Sequence, residues 1–345
     1  MIRKVAAALA LALALTGCGG KSEMVLYTWS DMFPHEILTG FQKATGHKVR
    51  YVNFESDEVM FARLEAAKGG SYDLVVADDY MVENVVNSGL ARRLDHSLLS
   101  NYNNINGIYQ KQFYDPDDQY TIPYGAGVQT LVYDRKKTGM SINGYLDLWH
   151  PSLSKNVGII DSFRVINGMA LKVMGQSYNT NDVEAIQRAG EILNMLAPNI
   201  RLIRDDRLEE ELLSGEIAAA VMYTSQVTAA KMERPDLEVV FPREGIGFGI
   251  MAAFIPVNAP NPAAAHAFLD YILDPRRGAE CFMELGYYST FSASDPYIEK
   301  EYREFLTLPE DFMNFDSMEM IQNVSEEAEA AHSRVWTEFK SATGR

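Results

Sequence analysis

Cysteine is nearly absent: Cys18 and Cys281 are the only two in 345 residues. Basic residues are also in short supply, with 31 Lys and Arg against 47 Asp and Glu, a formal charge of −16. No cluster of Lys and Arg interrupts that excess, which repels phosphate backbones and excludes nucleic acid as a natural partner. The sequence lacks the constellations that carry catalysis. Its histidines, His35, His47, His96, His150, His266 and His332, include no pair at metal-ligand spacing. There is no H-E-x-x-H, C-x-x-C, EF-hand loop, G-x-S-x-G elbow, Walker A or G-x-G-x-x-G. Gly245-Ile246-Gly247-Phe248-Gly249 is glycine-rich but leads into a strand rather than opening a helix, so it is no phosphate cradle. An enzyme has nothing here to work with, and neither a metal nor an organic cofactor is expected. The longest unbroken apolar run, Val5 to Leu15, is too short to span a bilayer.

What is present begins with an address. Arg3 and Lys4 precede that run, and Leu15-Thr16-Gly17-Cys18 closes it, the pattern of a signal peptide over residues 1–17. The closing four residues resemble the bacterial lipobox, which implies lipidation of Cys18 and anchoring at an extracytoplasmic membrane face. Residues 18–23 then form a tether. With Cys18 so used, Cys281 has no disulfide partner. It sits in a helical pattern and reads as a small buried hydrophobe.

Hydrophobic residues make up 47% of the chain and charged ones 23%, enough for a packed core. Strand-like runs recur at Met24–Trp29, Lys48–Phe54, Tyr72–Ala77, Val157–Ile160, Ala218–Tyr223 and Leu237–Phe241, separated by helical periodicity such as Val59, Met60, Leu64 and Ala67. The alternation predicts an α/β fold with mostly parallel sheets. Ligands of such sheets bind beyond the carboxyl ends of the strands, here Trp29, Asp78, Asp161 and Tyr223. Two longer apolar segments, Tyr120–Asp134 and Gly249–Asn258, read as crossings between two lobes. Lobe one would hold residues 24–127 and 257–305, and lobe two residues 128–256 and 306–345. A last helical pattern over Ser317–Lys340 would pack on lobe two.

Several motifs in order then resemble one family: Leu26-Tyr27-Thr28-Trp29-Ser30-Asp31, Phe41-Gln42-Lys43-Ala44-Thr45-Gly46, Glu55-Ser56-Asp57-Glu58, Tyr72-Asp73-Leu74-Val75-Val76, Ile122-Pro123-Tyr124, Asp147-Leu148-Trp149, Phe241-Pro242-Arg243-Glu244-Gly245 and Ile255-Pro256-Val257-Asn258-Ala259. They are similar to the spermidine/putrescine-binding receptors of bacterial ABC importers. The resemblance implies a type II periplasmic-binding fold, two α/β lobes around a ligand cleft with two crossing strands. It also implies a monomer that delivers a polyamine to a membrane permease and its ATPase, with no turnover.

By the same resemblance the ligand-binding positions fall on Trp29, Ser30, Asp31, Asp78, Asp79, Tyr80, Ser162, Tyr223, Tyr287 and Gln322. A polyamine needs carboxylates for its ammonium groups and aromatic faces for its methylenes. Here the family's pattern is broken in places. Its second aromatic aligns with Met32, although Phe33 is adjacent, and its second-lobe acids align with Ser162, Val165 and Met251, leaving only Asp161 nearby. Negative charge is thus expected from lobe one alone, through Asp31, Asp78 and Asp79, or the ligand is another small amine or zwitterion. A ligand-sensing lipoprotein is a further reading. Three acidic motifs also have structural readings: Asp78-Asp79 and Asp161-Ser162 as helix caps, and Ser56-Asp57-Glu58 as a helix start.

Overall fold

The structure, a computed structural model, describes residues 23–305 and 318–344. The signal segment, Cys18, the tether as far as residue 22, and residues 306–317 of the expected second lobe lie outside the described residues. Among the described residues ten strands form: β1 (Glu23–Thr28), β2 (Lys48–Asn53), β3 (Leu74–Asp78), β4 (Thr121–Tyr133), β5 (Val157–Ile159), β6 (Ile200–Ile203), β7 (Ala219–Tyr223), β8 (Glu238–Val240), β9 (Ile246–Phe254) and β10 (Met318–Met320). The strands of the sheet centres are apolar on both faces because helices cover both. In β3, for example, every residue from Leu74 to Ala77 is buried.

The strand order is β2-β1-β3-β9-β4-β7-β5-β6, with β8 on β4 and β10 on β9. In the first lobe β1 pairs in parallel with β2 and β3, and β9 runs antiparallel to β3. In the second, β5 lies parallel between β6 and β7. The two halves are joined by β4, all thirteen residues of which are buried. From Thr121 to Val128 it pairs with β9, and from Gln129 to Tyr133 with β7. One strand therefore leaves one sheet and enters the other. The chain returns along the edge of β4 through β8 and β9. The first crossing stands where its long apolar pattern placed it, but the second passes over earlier, between β8 and β9, because Gly249–Phe254 pairs only within the first sheet.

The C-terminal pattern departs from expectation. Met318–Met320 is a strand paired in parallel with Ile246–Phe248 of β9, a third connection between the lobes, and the helix runs only over Glu326–Thr343. The open edge of β9 offers backbone partners that outweigh the local helical pattern. The helix itself starts where Ser325 caps it, its hydroxyl accepting from the Ala328 N–H at 3.3 Å, with Glu326, Glu327 and Glu329 in the first turn. It packs on the helices Phe163–Val173 and Val183–Asn194. The close approach depends on Gly190, where a Cβ would come within 2.7 Å of Val335. The strand β6 had no sequence signal, since its four residues are too few to show a period.

The buried apolar residues divide with the sheets. One cluster runs from Leu131 to Phe339 and includes Ile166, Leu193, Val221 and Trp336. Two others occupy the first sheet's faces, one with Leu26, Phe41, Phe268 and Phe282, the other with Tyr27, Val75, Ile250 and Phe254.

Candidate functional site

The site is built at the carboxyl ends of β1, β3, β6 and β7, where helix N-termini and turns face each other across the gap between the sheets. At the end of β1, Tyr51 fixes the turn. Its hydroxyl donates to the Trp29 carbonyl at 2.7 Å and accepts from the Met32 N–H at 3.0 Å. Asn53 Nδ2 donates to Ser30 Oγ at 2.8 Å. The Trp29 ring stands edge-on to Phe54 with centroids 4.7 Å apart. Asp31 is exposed and left-handed, with φ 58°. Met32 and Phe33 are core residues, and Phe33 stacks on Tyr124 at 4.5 Å. Phe33 therefore does not replace the family's second aromatic in the cleft.

At the end of β3 the two aspartates part company. Asp79, 2% exposed, accepts from the N–H groups of Tyr80 at 2.8 Å and of Ile250 at 2.9 Å. Both of its oxygens are thus committed to backbone, one of them across to β9, which corrects the expectation of a ligand role for Asp79. Asp78 instead meets Asp57, the first residue of the helix Asp57–Ala66. Asp57 Oδ1 accepts from the Asp78 N–H at 3.4 Å and Oδ2 from the Tyr80 hydroxyl at 3.2 Å. The two carboxyl groups are also hydrogen-bonded to each other. Burial pushes Asp78 up to about 6, and the fields of Asp205 and Glu58 add to it. Burial, then the charge of Asp78, holds Asp57 well above the usual carboxylate range.

The second lobe supplies tyrosine, serine and one acid that the sequence reading did not identify. Asp161 accepts from Trp336 Nε1 at 3.2 Å and pairs with Lys340 at 3.5 Å, so its charge is matched by the C-terminal helix and it caps nothing. Ser162 heads the helix Phe163–Val173 without capping it, and its side chain is hydrogen-bonded to Tyr223. Val165 is buried in the core. Just beyond β6 lies Asp205, an exposed residue near Tyr223, and partial loss of solvent with the fields of Asp161 and Asp206 pushes it up to about 6. The expectation that the second lobe offers no free acid is therefore corrected: Asp205 is there, drawn from a loop whose preceding strand was not visible in the sequence.

These groups feel one another across the lobes. Asp205 raises Asp78, and both raise Tyr223 and Tyr287, whose main cause is burial. Tyr287 is pushed up to about 12. Its ring lies against Gly127 of β4, where a Cβ would come within 2.6 Å, so only glycine admits it. Its hydroxyl is hydrogen-bonded to Ser225 at the start of the second-lobe helix Thr224–Glu233. Met251 pairs with Asp78 in the β3–β9 register, so the family's acid at that position would stand beside Asp78. Gln322 is held by its backbone, accepting from Arg164 at 3.0 Å and donating to Asn179 at 2.8 Å.

Among the described residues no Lys or Arg forms an ion pair with Asp57, Asp78 or Asp205. Among them, too, no group of three His, Cys, Asp or Glu is arranged to hold a metal ion. The cleft thus presents carboxyl groups without a basic partner and phenol rings.

Two lobes joined by crossing strands around such a cleft are the architecture of a solute receptor. The chain belongs to the bacterial extracellular solute-binding protein family, whose model matches residues 36–304. It is 32% identical over 287 residues to the spermidine/putrescine-binding periplasmic protein of Salmonella typhimurium, covering 82% of this chain and 81% of that one. It is 26% identical over 357 residues to a putrescine-binding periplasmic protein of Pseudomonas aeruginosa, covering 95% and 97%. In fold it matches the crystal structure of a spermidine/putrescine ABC transporter substrate-binding protein from Streptococcus pneumoniae with a TM-score of 0.82 at 24% identity, over 93% of this chain and 99% of that one. The type II fold and the resemblance read from the sequence agree with these findings, and the chain is a binding protein rather than an enzyme. Among the described residues no helix is long and apolar enough to cross a membrane.

Proposed function

We propose that this protein binds a small polyamine of the putrescine or spermidine kind between its lobes and hands it to an ABC permease and its ATPase. The observation that carries the reading is the meeting of the buried Asp57 with the half-buried Asp78 at the end of β3, with no basic partner among the described residues. Like charges at such close quarters are costly unless a cation matches them, and an ammonium group beside them does so. Trp29, Tyr80, Tyr223 and Tyr287 offer faces for methylenes and cation–π contact, and Ser30, Asp31 and Ser162 line the rims. Binding closes the lobes about the crossing strands by hinge motion. The names of the relatives support the same ligand class.

In this reading the first lobe holds residues 24–128 and 246–305 and the second lobe residues 129–245 with the C-terminal helix, the sequence-based boundary at 256 moving to 245 because β9 lies in the first sheet. The chain is an extracytoplasmic monomer held to the membrane through lipid on Cys18. Ser162, Val165 and Met251 in place of acids favour a second reading, a different small amine or zwitterion in the same cleft.

Calorimetric titration of the chain from Gly19 onward with putrescine, spermidine, spermine and a panel of amines and amino acids separates the two. Micromolar or tighter binding of a polyamine, weakened at least roughly tenfold, about 1.4 kcal/mol, in Asp78→Asn, is the expected result. Heat with an amino acid and with no polyamine would replace the first reading by the second.

A further inference from the structure

The helix Asp57–Ala66 starts with one acid more than its N-terminus uses. Ser56 caps it, its hydroxyl accepting from the Val59 N–H at 3.3 Å, and the exposed Glu58 brings negative charge to the first turn. Asp57 is buried instead, and its donors are few and long. The Asp78 N–H reaches Oδ1 at 3.4 Å, and the Tyr80 hydroxyl reaches Oδ2 at 3.2 Å, with Glu58 a competing acceptor at 3.4 Å. A buried carboxylate so poorly matched is costly. Arg164 of the second lobe, which feels the Tyr80 phenol, does not relieve it. Its guanidinium turns to Glu329 at 3.4 Å and to the carbonyls of Tyr178 and Gln322 at 3.4 and 3.0 Å.

What lies against Asp57 is a second acid. Asp78, half-buried at the end of β3, is hydrogen-bonded to it through its carboxyl group as well as through its N–H. Ionised carboxylates only accept hydrogen bonds, so a bond between the two requires a proton. The other titratable groups around the pair are acids and phenols. Glu58 on the same helix and Asp205 from the second lobe are exposed. Asp79, next in the chain, has each oxygen on a backbone N–H, at 2.8 and 2.9 Å. Tyr80, Tyr223 and Tyr287 are raised by burial first and by these acids after it, so all three stay neutral. None of these groups is a cation.

We propose that in the ligand-free protein Asp57 and Asp78 share one proton, and that an ammonium group settling beside them drives that proton into solvent, so that ligand binding is coupled to proton release. Asp57 is then a positioning residue, which acts on the ligand through Asp78 as one half of a pair that titrates as a unit. The inference rests on the polyamine reading and adds to it the exchange of one positive charge for another. The ligand's own amines resemble a lysine ammonium, whose pKa is about 10.4, and stay charged throughout, so the pH dependence belongs to the protein.

The test is calorimetric titration of putrescine at pH 6, 7 and 8 into the wild type, Asp57→Asn, Asp78→Asn and Asp205→Asn. Phosphate and MOPS buffers differ in heat of ionisation, so titration in both counts the protons released, and melting curves check that each variant is folded. The wild type should release about one proton per putrescine at pH 7, with affinity rising about tenfold per pH unit. Release should be lost in Asp57→Asn and in Asp78→Asn alike, because each leaves one acid beside an amide that bonds to it without a shared proton. Either variant decides the matter if the other does not fold. Asp205→Asn should keep the release. The affinity of Asp57→Asn should come nearest to the wild type at pH 6 and fall behind it as pH rises, whereas a merely structural role would leave a constant gap. Putrescine bound without proton release, or release that persists in a folded variant of the pair, overturns the shared proton and leaves the polyamine reading standing. A wild type that binds no amine overturns both.

Discussion

Asp57 occupies a first-turn position where a carboxylate is ordinary, since it favours the helix dipole and follows the N-cap Ser56. That local reason hid its other role. At 4% exposure it is hydrogen-bonded to Asp78 and Tyr80, contacts 21 and 23 residues away that no helical pattern announces. Trp29, Asp78 and Tyr223 were legible because strand ends were legible. Asp79 was not separable from Asp78 until β9 came to lie beside it. Cys281 was readable as buried, and it is fully so. Burial pushes its thiol up to about 12, with a hydrogen bond to Tyr124 acting the other way. The folded chain from Gly19 onward should therefore show no reaction with a thiol reagent at pH 8 until denaturant is added, because the thiolate is the reactive form. Rapid labelling of one thiol under native conditions would contradict that packing.

The elements repeat the lesson at longer range. The long, mostly apolar run of β4 could be read as a crossing because a strand buried on both faces needs no alternation. Three residues of β10 could not, since their partner is β9, some seventy positions earlier. Once placed, β10 is fastened to the second lobe. Glu319 pairs with Lys172 at 2.6 Å and accepts from the Tyr178 N–H at 3.1 Å. Three residues beyond its end, Asn323 reaches the first lobe, where Nδ2 donates to the Tyr80 carbonyl and to Glu83, both at 2.8 Å. That side chain bridges the lobes beside a proposed ligand-facing tyrosine. Asn323→Ala should speed ligand dissociation several-fold in stopped-flow measurements, with the order of preference among amines unchanged. An unchanged dissociation rate would mean that the contact does not hold the closed form.

For the whole molecule, the cleft acids set a pH dependence with a definite sign. Asp78 and Asp205 are both pushed up to about 6 in the folded chain, against about 3.9 for an unfolded aspartate. The folded state thus holds more protons than the unfolded between about pH 4 and 6, and stability falls as pH rises through that window. Acids lowered by salt bridges, such as Asp236 and Glu319, act in the opposite sense, but their contribution is lost only at more acidic pH. Without ligand, the chain should melt at a higher temperature at pH 5 than at pH 7. A bound polyamine should raise the melting temperature more at pH 7, where the carboxylates are charged. A ligand-free chain that melts lower at pH 5 would show that Asp78 is not held against the buried Asp57.

The sequence by itself determined the α/β alternation, the crossing along β4 and the kind of receptor, because each rests on runs of residues whose apolar pattern or motif order survives without neighbours. Tertiary structure decided the charge of the cleft. Asp57, Asp78 and Asp205 come from three separate stretches, and whether a carboxylate is capped, paired with a base or left facing another depends on which strand ends the fold sets side by side.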